Sequence, residues 1–193
     1  MDTIAGMAAV TNLTNQFLIA MPGLMDPNFY QTVTYVCAHN EDGAMGIVIN
    51  RPLDLALGDV LSQMNLKAVN SEVNSMPVFQ GGPVQTDRGF VLHYADSEWQ
   101  SSINVSDEIG VTTSRDILQA IAEGRGPKYS LIALGYAGWA AGQLEQEIKE
   151  NAWLSGPADT DIIFRTPPEK RWESAARMLG VDLNKLSTDI GHA

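Results

Sequence analysis

FQGGPVQTDRGFVLH, residues 79–93, sets two adjacent glycines before a proline, then an acid, an arginine and a third glycine, and closes with a histidine on an apolar run. Three readings compete for it: a phosphate cradle, a reactive loop, or a chain reversal. A P-loop needs more widely spaced glycines followed by Lys and Ser or Thr at a helix start, whereas Gly81-Gly82-Pro83 leads into Val84-Gln85 and then a strand. Thr86-Asp87-Arg88-Gly89 suits a β-turn joining strands at Pro77 to Gln80 and Phe90 to Tyr94, because Asp and Gly are favoured turn residues. The functional alternative is that Arg88 offers its fork of donors to a carboxylate or phosphate beside exposed amides of Gly81 and Gly82.

Further strands are expected on both sides of this segment. Phe17 to Ala20 stops at Met21-Pro22-Gly23, and the β-branched, aromatic run QTVTYVCAH is followed by Asn40-Glu41-Asp42-Gly43 and AMGIVINRP, a hairpin pattern. Pro52 ends that second strand, and Leu57, Val60, Leu61 and Met64 recur at helical spacing, predicting a short amphipathic helix over the hairpin. Residues 67–75 read as an exposed connection and Val105 to Val111 as a strand. Thr113 with Asp116 makes a capping-box pattern for a helix stopped by Gly124; Thr166, Pro167 and Glu169 do the same for a last helix ending at Gly180. Tyr129 to Leu134, Trp153-Leu154 and Asp161 to Phe164 complete the expected strands. Strands bunch in the first half and helices in the second, which favours α+β over a regularly alternating α/β sheet.

A chain of 193 residues, 45% hydrophobic and 18% charged, fits one domain over residues 1–193, with residues 1–14 as a flexible N-terminal extension. The net charge of -11 repels phosphate backbones and disfavours direct DNA or RNA binding. Lys128, Lys170, Arg171 and Arg177 alternate with glutamates and read as a solvated helix face. The single cysteine, Cys37, excludes an intramolecular disulfide and, between Val36 and Ala38, reads as an inert core thiol. The first twenty residues contain no Lys or Arg and no long apolar run, so neither a signal peptide nor a membrane span is expected, and the default location is the cytoplasm.

LGYAGWAAGQLEQE, residues 134–147, reads as a strand, a glycine corner and a charged helix. At such a corner serine hydrolases place G-x-S-x-G, but Ala137 stands where the serine would be. Gly135, Gly138 and Gly142 do not reproduce G-x-G-x-x-G, so the dinucleotide fingerprint is missing too. His39, His93 and His192 have no partner ligands at metal-binding spacing, and no metal or cofactor is expected. Glu145, Glu147 and Glu150 read as a solvated helix face.

FLIAMPGLMDPNFYQTVTYVCAHNEDGAMGIVINRP, FQGGPVQTDRGFVLH and LGYAGWAAGQLEQEIKENAWL together resemble the signature blocks of the YqgE/AlgH family of bacterial proteins, with the likeness running from about Phe17 through the closing GHA. The resemblance implies an α+β fold whose bifurcated, largely antiparallel sheet curls into a pseudo-barrel with helices packed outside. The family carries a transcriptional-regulator label, and the resemblance brings no catalytic residues. No helix-turn-helix and no basic recognition helix is visible, so regulation is expected to run through protein contacts.

The expected function is therefore a cytoplasmic, non-enzymatic binding or interaction protein with a regulatory role, its partner a protein or a small anionic ligand, its oligomeric state open. The expected surface joins Asn50, Arg51, Gly81, Gly82, Asp87, Arg88, Tyr136, Gly138 and Trp139: cations, free amides and an aromatic platform. Two rivals are an enzyme on a small anionic substrate, with Asp87 as base, Arg88 as clamp and Cys37 as nucleophile, and a direct nucleic-acid-binding regulator.

Overall fold

The structure, a computed structural model, describes residues 12–186. Its strands are β1 (Gln16–Ala20), β2 (Val33–Asn40), β3 (Gly43–Val48), β4 (Pro52–Ala56), β5 (Pro77–Gln80), β6 (Val84–Tyr94), β7 (Ser102–Asn104), β8 (Ile109–Thr112), β9 (Ser130–Ala140) and β10 (Trp153–Pro157). Helices among the described residues include α1 (Leu57–Gln63), α2 (Ser71–Asn74), α3 (Arg115–Ala122), α4 (Gln143–Lys149), α5 (Thr160–Phe164) and α6 (Arg171–Met178), with a 3-10 turn at Pro168–Lys170 leading into α6. The chain forms two compact units, one of residues 51–136 and one of the segments before and after it. The α+β class holds, with a largely antiparallel, curled sheet that bifurcates at β9.

In the flanking unit, β10, β1, β2, β3 and residues 137–140 of β9 pair antiparallel throughout. Asn40 pairs directly with Gly43, so the hairpin reverses over Glu41-Asp42 alone, and Gly43 must be glycine because it takes φ +140° and a Cβ there would lie 2.3 Å from the Trp139 carbonyl oxygen. Leu18, Val36, Ala137, Trp139, Leu144 and Trp153 share one core. Helix α6 lies against β1 and β2, where the Trp172 indole donates to the Ala20 carbonyl at 2.8 Å.

In the central unit, β7, β8, β6, residues 130–136 of β9, β5 and β4 follow one another, antiparallel except for the β5–β9 pair. The apolar faces of α1 and α3 close it: Leu57, Leu61 and Ile117 are fully buried with Val78, Val91 and Ile132. Each such side chain contributes about 1.5–3 kcal/mol of transfer free energy.

Several expectations from the sequence do not hold. Helix α1 packs on the β5–β6–β9 core, not on the β2–β3 hairpin, and Pro52 opens β4 instead of closing β3. Residues 67–75 include α2, because the Asn70 side chain accepts the Val73 N–H. Val105 to Val111 is not one strand but the turn and start of the β7–β8 hairpin. Asp161 to Phe164 is helical: Asp159 accepts the Ile162 N–H and starts α5. Ser114, not Thr113, stands at the α3 N-cap, and the Thr166 hydroxyl donates to the Asp161 carbonyl instead of capping α6. Arg171 is no solvated cation. It is 5% exposed, donating through Nη1 to the Ile49 carbonyl and through Nε to the Thr166 carbonyl, and burial pulls its pKa down to about 10 despite Glu169. The extension expected at residues 1–14 lies outside the described residues up to 11, whereas Leu13 is buried in the flanking core.

Candidate functional site

The glycines of the GGPV motif make a backbone crossing. The Gly81 N–H donates to the Leu134 carbonyl at 2.7 Å, and a Cβ on Gly81 would lie 2.3 Å from the Gly135 carbonyl oxygen. Gly135 itself takes φ +80°, with its would-be Cβ 2.5 Å from the Gly82 carbonyl oxygen. Side chains at either position would force the two segments apart. Gly81 and Gly82 are therefore buried, and the expected exposed amides are replaced by a packed contact.

The crossing also sets the path of β6. From the Val84–Tyr136 pair to the Gly89–Leu134 pair, β6 advances five residues while β9 advances two, so residues 85–88 bulge outward. Gln85 turns the chain with φ +47°. Thr86-Asp87-Arg88-Gly89 is thus bulged strand and not the β-turn its composition suggests. The Arg88 guanidinium is exposed, 5.5 Å from the centroid of the Phe90 ring, and Nη1 donates to Gln85 Oε1 at 3.3 Å. Phe90 stands edge-to-face on Tyr136 at 5.6 Å. A solvent-facing cation over a ring gains about 0.5–1 kcal/mol, enough to bias the guanidinium toward one orientation without hiding it. Arg51 enters through its carbonyl, which accepts the Gln80 N–H at 2.8 Å.

Asp87 lines the neighbouring groove of about 430 Å³ in the same unit, with Leu55, Met64, Val91 and Leu118 among its apolar walls. Arg115 stands at its rim and donates through Nη2 to the Met64 carbonyl at 2.7 Å. Sequence reasoning missed this groove. Its lining comes from β4, α1, β6, β8, α3 and β9, and no local motif marks such a set.

The remaining expected positions lie in the flanking unit and have structural partners. The Asn50 side chain accepts the Val33 N–H and donates to the Gln31 carbonyl, both at 2.9 Å. Gly138 is exposed and pairs with Met45. Trp139 is 5% exposed, stacked on Phe29 at 6.0 Å, and its indole donates to Glu147 Oε1 at 3.0 Å. It is a core ring and not an open platform. Glu147 is correspondingly no solvated carboxylate, since the Trp153 indole and Gln143 Nε2 donate to it as well.

The histidines of the described residues are also tied down. His39 Nδ1 accepts the Leu13 N–H at 2.9 Å, and Nε2 lies 3.3 Å from Glu145 Oε2. His93 Nδ1 donates to the Tyr94 carbonyl at 2.7 Å, and Nε2 lies 2.7 Å from the Thr112 hydroxyl. His192 lies outside the described residues. Among the described residues no group of three or more His, Cys, Asp or Glu is placed to hold a metal. No helix among them is long and apolar enough to cross a membrane.

Cys37 is buried, and burial pushes its thiol up to about 12, the opposite of an activated nucleophile. Native protein at pH 8 should therefore react with a disulfide reagent only at the rate of unfolding, then fully in denaturant. A fast stoichiometric reaction in native buffer would contradict the burial. Because the folded-state value is raised, this thiol costs stability only as pH climbs from about 9 toward 12, where the unfolded chain ionises first.

Comparison with known proteins agrees with the sequence blocks. The AlgH-like family model matches residues 17–184. A UPF0301 protein of Thioalkalivibrio sulfidiphilus is 63% identical over 187 residues, covering 97% of this chain and 100% of the relative. A UPF0301 protein of Nitrosococcus oceani is 56% identical over the same shares. Among solved structures, the AlgH protein of Pseudomonas aeruginosa matches with TM-score 0.78 and 54% identity over 92% of this chain and 94% of that one. A Corynebacterium diphtheriae protein at 19% identity and TM-score 0.71, over 91% of each chain, shares the fold. With the family model matching residues 17–184 and a relative 63% identical over 97% of the sequence, the chain belongs to the AlgH-like family.

Proposed function

We propose that this chain is a non-enzymatic binding protein with a regulatory role, and that the bulge at residues 85–88 is its recognition element. The observation that carries this reading is Arg88: an exposed guanidinium braced by Gln85 and the Phe90 ring, raised on a bulge that the buried glycine crossing holds in place. A guanidinium fork oriented in advance loses less conformational entropy when it meets a carboxylate, so the ligand is an anionic small molecule or a protein carboxylate. The net charge of -11 favours protein or small-molecule partners over nucleic acid, and any effect on transcription would run through protein contacts. Cys37 cannot serve the enzymatic alternative as nucleophile at its raised pKa.

Calorimetric titration with a short acetylated peptide bearing a free C-terminal carboxylate, its amidated twin and inorganic phosphate tests the proposal. Saturable binding to an anion is expected, with the Arg88→Ala protein weaker by roughly tenfold and its melting temperature within a few degrees of the parent. Unchanged binding in Arg88→Ala, or a large loss of stability without a binding defect, would overturn it.

A further inference from the structure

We infer that the β7 edge of the central unit is a docking site for an extended basic segment of another protein, added as a further strand. This lies on a different surface from the Arg88 bulge and does not depend on it. Strand β7 pairs only with β8 among the described residues. Hydrogen bonds from the Thr113 N–H to the Ser101 carbonyl and from the Val105 N–H to the Ile109 carbonyl fix the register. Alternation along an antiparallel ladder then turns the N–H and C=O of Ser102 and Asn104 outward, four backbone groups ready for a new strand. All three β7 residues are exposed, and Ile103, at 65%, extends the apolar face of the buried Val111 past the edge.

The usual protections of a sheet edge, lysine, proline or a bulge, are missing from Ser102-Ile103-Asn104; only its shortness limits it. The other terminal strands differ. β4 opens with Pro52, and β10 buries Trp153 and carries Pro157.

Charge selects the occupant. On the Ser102 and Asn104 face lies a concavity of about 460 Å³ lined also by Asp96, Glu98 and Trp99, and the exposed Asp107 and Glu108 follow in the β7–β8 turn. Lys128 reaches Asp96 through its backbone N–H, while its Nζ lies 5.7 Å from the Tyr129 ring centroid. A second copy of this acidic chain would bring like charges together, whereas a basic strand neutralises them. In an added antiparallel strand, the residues opposite Ser102 and Asn104 project over the acidic concavity and the residue between them covers Ile103. The fitting pattern is therefore Lys or Arg, an apolar residue, then Lys or Arg.

Fluorescence anisotropy with a labelled, end-capped peptide containing Lys-Val-Lys, and a control containing Glu-Val-Glu, tests the assignment on the full chain. Binding of the lysine peptide alone is expected. Asn104→Pro removes an outward donor while leaving the β8-facing bonds, and should weaken binding roughly tenfold; Glu98→Lys should weaken it similarly without touching the backbone. Circular dichroism confirms that both variants fold. Equal binding of both peptides, no saturable binding, or affinity unchanged in both variants would overturn the inference. A concentration-dependent dimer that disappears in Asn104→Pro would overturn it in favour of self-pairing.

Discussion

Glu147→Leu is expected to destabilise the protein by about 2–5 kcal/mol, because it strands two largely buried indole donors at once. Trp139 Nε1 and Trp153 Nε1 each donate to Glu147 Oε1 at 3.0 Å, and Gln143 Nε2 holds the other carboxylate oxygen at 2.9 Å from one turn earlier on α4. Both tryptophans sit in the flanking core, with Phe29 stacked on one and edge-on to the other. Leucine matches the chain length poorly and accepts no hydrogen bond, so each indole loses its partner without regaining water. Glu147→Gln keeps an acceptor on the same stem and should cost about 1 kcal/mol. Denaturant titration followed by tryptophan fluorescence reads both. If the two variants lose the same stability, the carboxylate is not the shared acceptor that the geometry describes.

Gly135→Ala should be as damaging, by a different route. At φ +80° an alanine is strained by roughly 1–2 kcal/mol before it meets a neighbour. Its Cβ would then stand 2.5 Å from the Gly82 carbonyl oxygen, 3.1 Å from the Val84 oxygen and 3.3 Å from Thr86 Cα, all backbone atoms that can yield only by opening the crossing. A total of about 3–5 kcal/mol is expected, in the range reached only by changes with a specific mechanism. Gly89 is the internal control. It belongs to the same sequence motif, yet nothing lies within 4 Å of its would-be Cβ, so Gly89→Ala should change stability by less than about 0.5 kcal/mol. Thermal melts that rank the two substitutions equally would refute the assignment of Gly135 to a packed crossing.

The contrast between these glycines explains how much the sequence could disclose. Strand identities at Gln16–Ala20, Val33–Asn40 and Pro77–Gln80 follow from composition and bounding turn residues, which act locally. The bulge after Gly82 does not: Asp87 and Gly89 are good turn formers, and only the paired backbone of Leu134 to Tyr136 makes the stretch a strand with extra residues. Arg171 misleads for the same reason, since the Ile49 carbonyl it serves is 122 residues away. Ile162 and Ile163 form an apolar run too short to separate strand from helix by periodicity, and the Asp159 cap decides it. Of the expected site, Gly81, Gly82, Asp87, Arg88 and Tyr136 gather around one bulge, because the motif that builds the crossing also carries the cation. Asn50 and Trp139 serve the flanking unit's own backbone and core, roles that depend on Val33 and Glu147 and leave no mark at the positions themselves.

The most direct test of the proposed recognition element is an amide chemical-shift map of the isotope-labelled protein during titration with the carboxylate-terminated peptide. Saturable shifts concentrated at residues 84–90 and 134–136 are expected, with those of Gln85 and Arg88 among the largest. Saturation whose shifts fall elsewhere and spare the bulge, or no saturable shift at any residue, would contradict it.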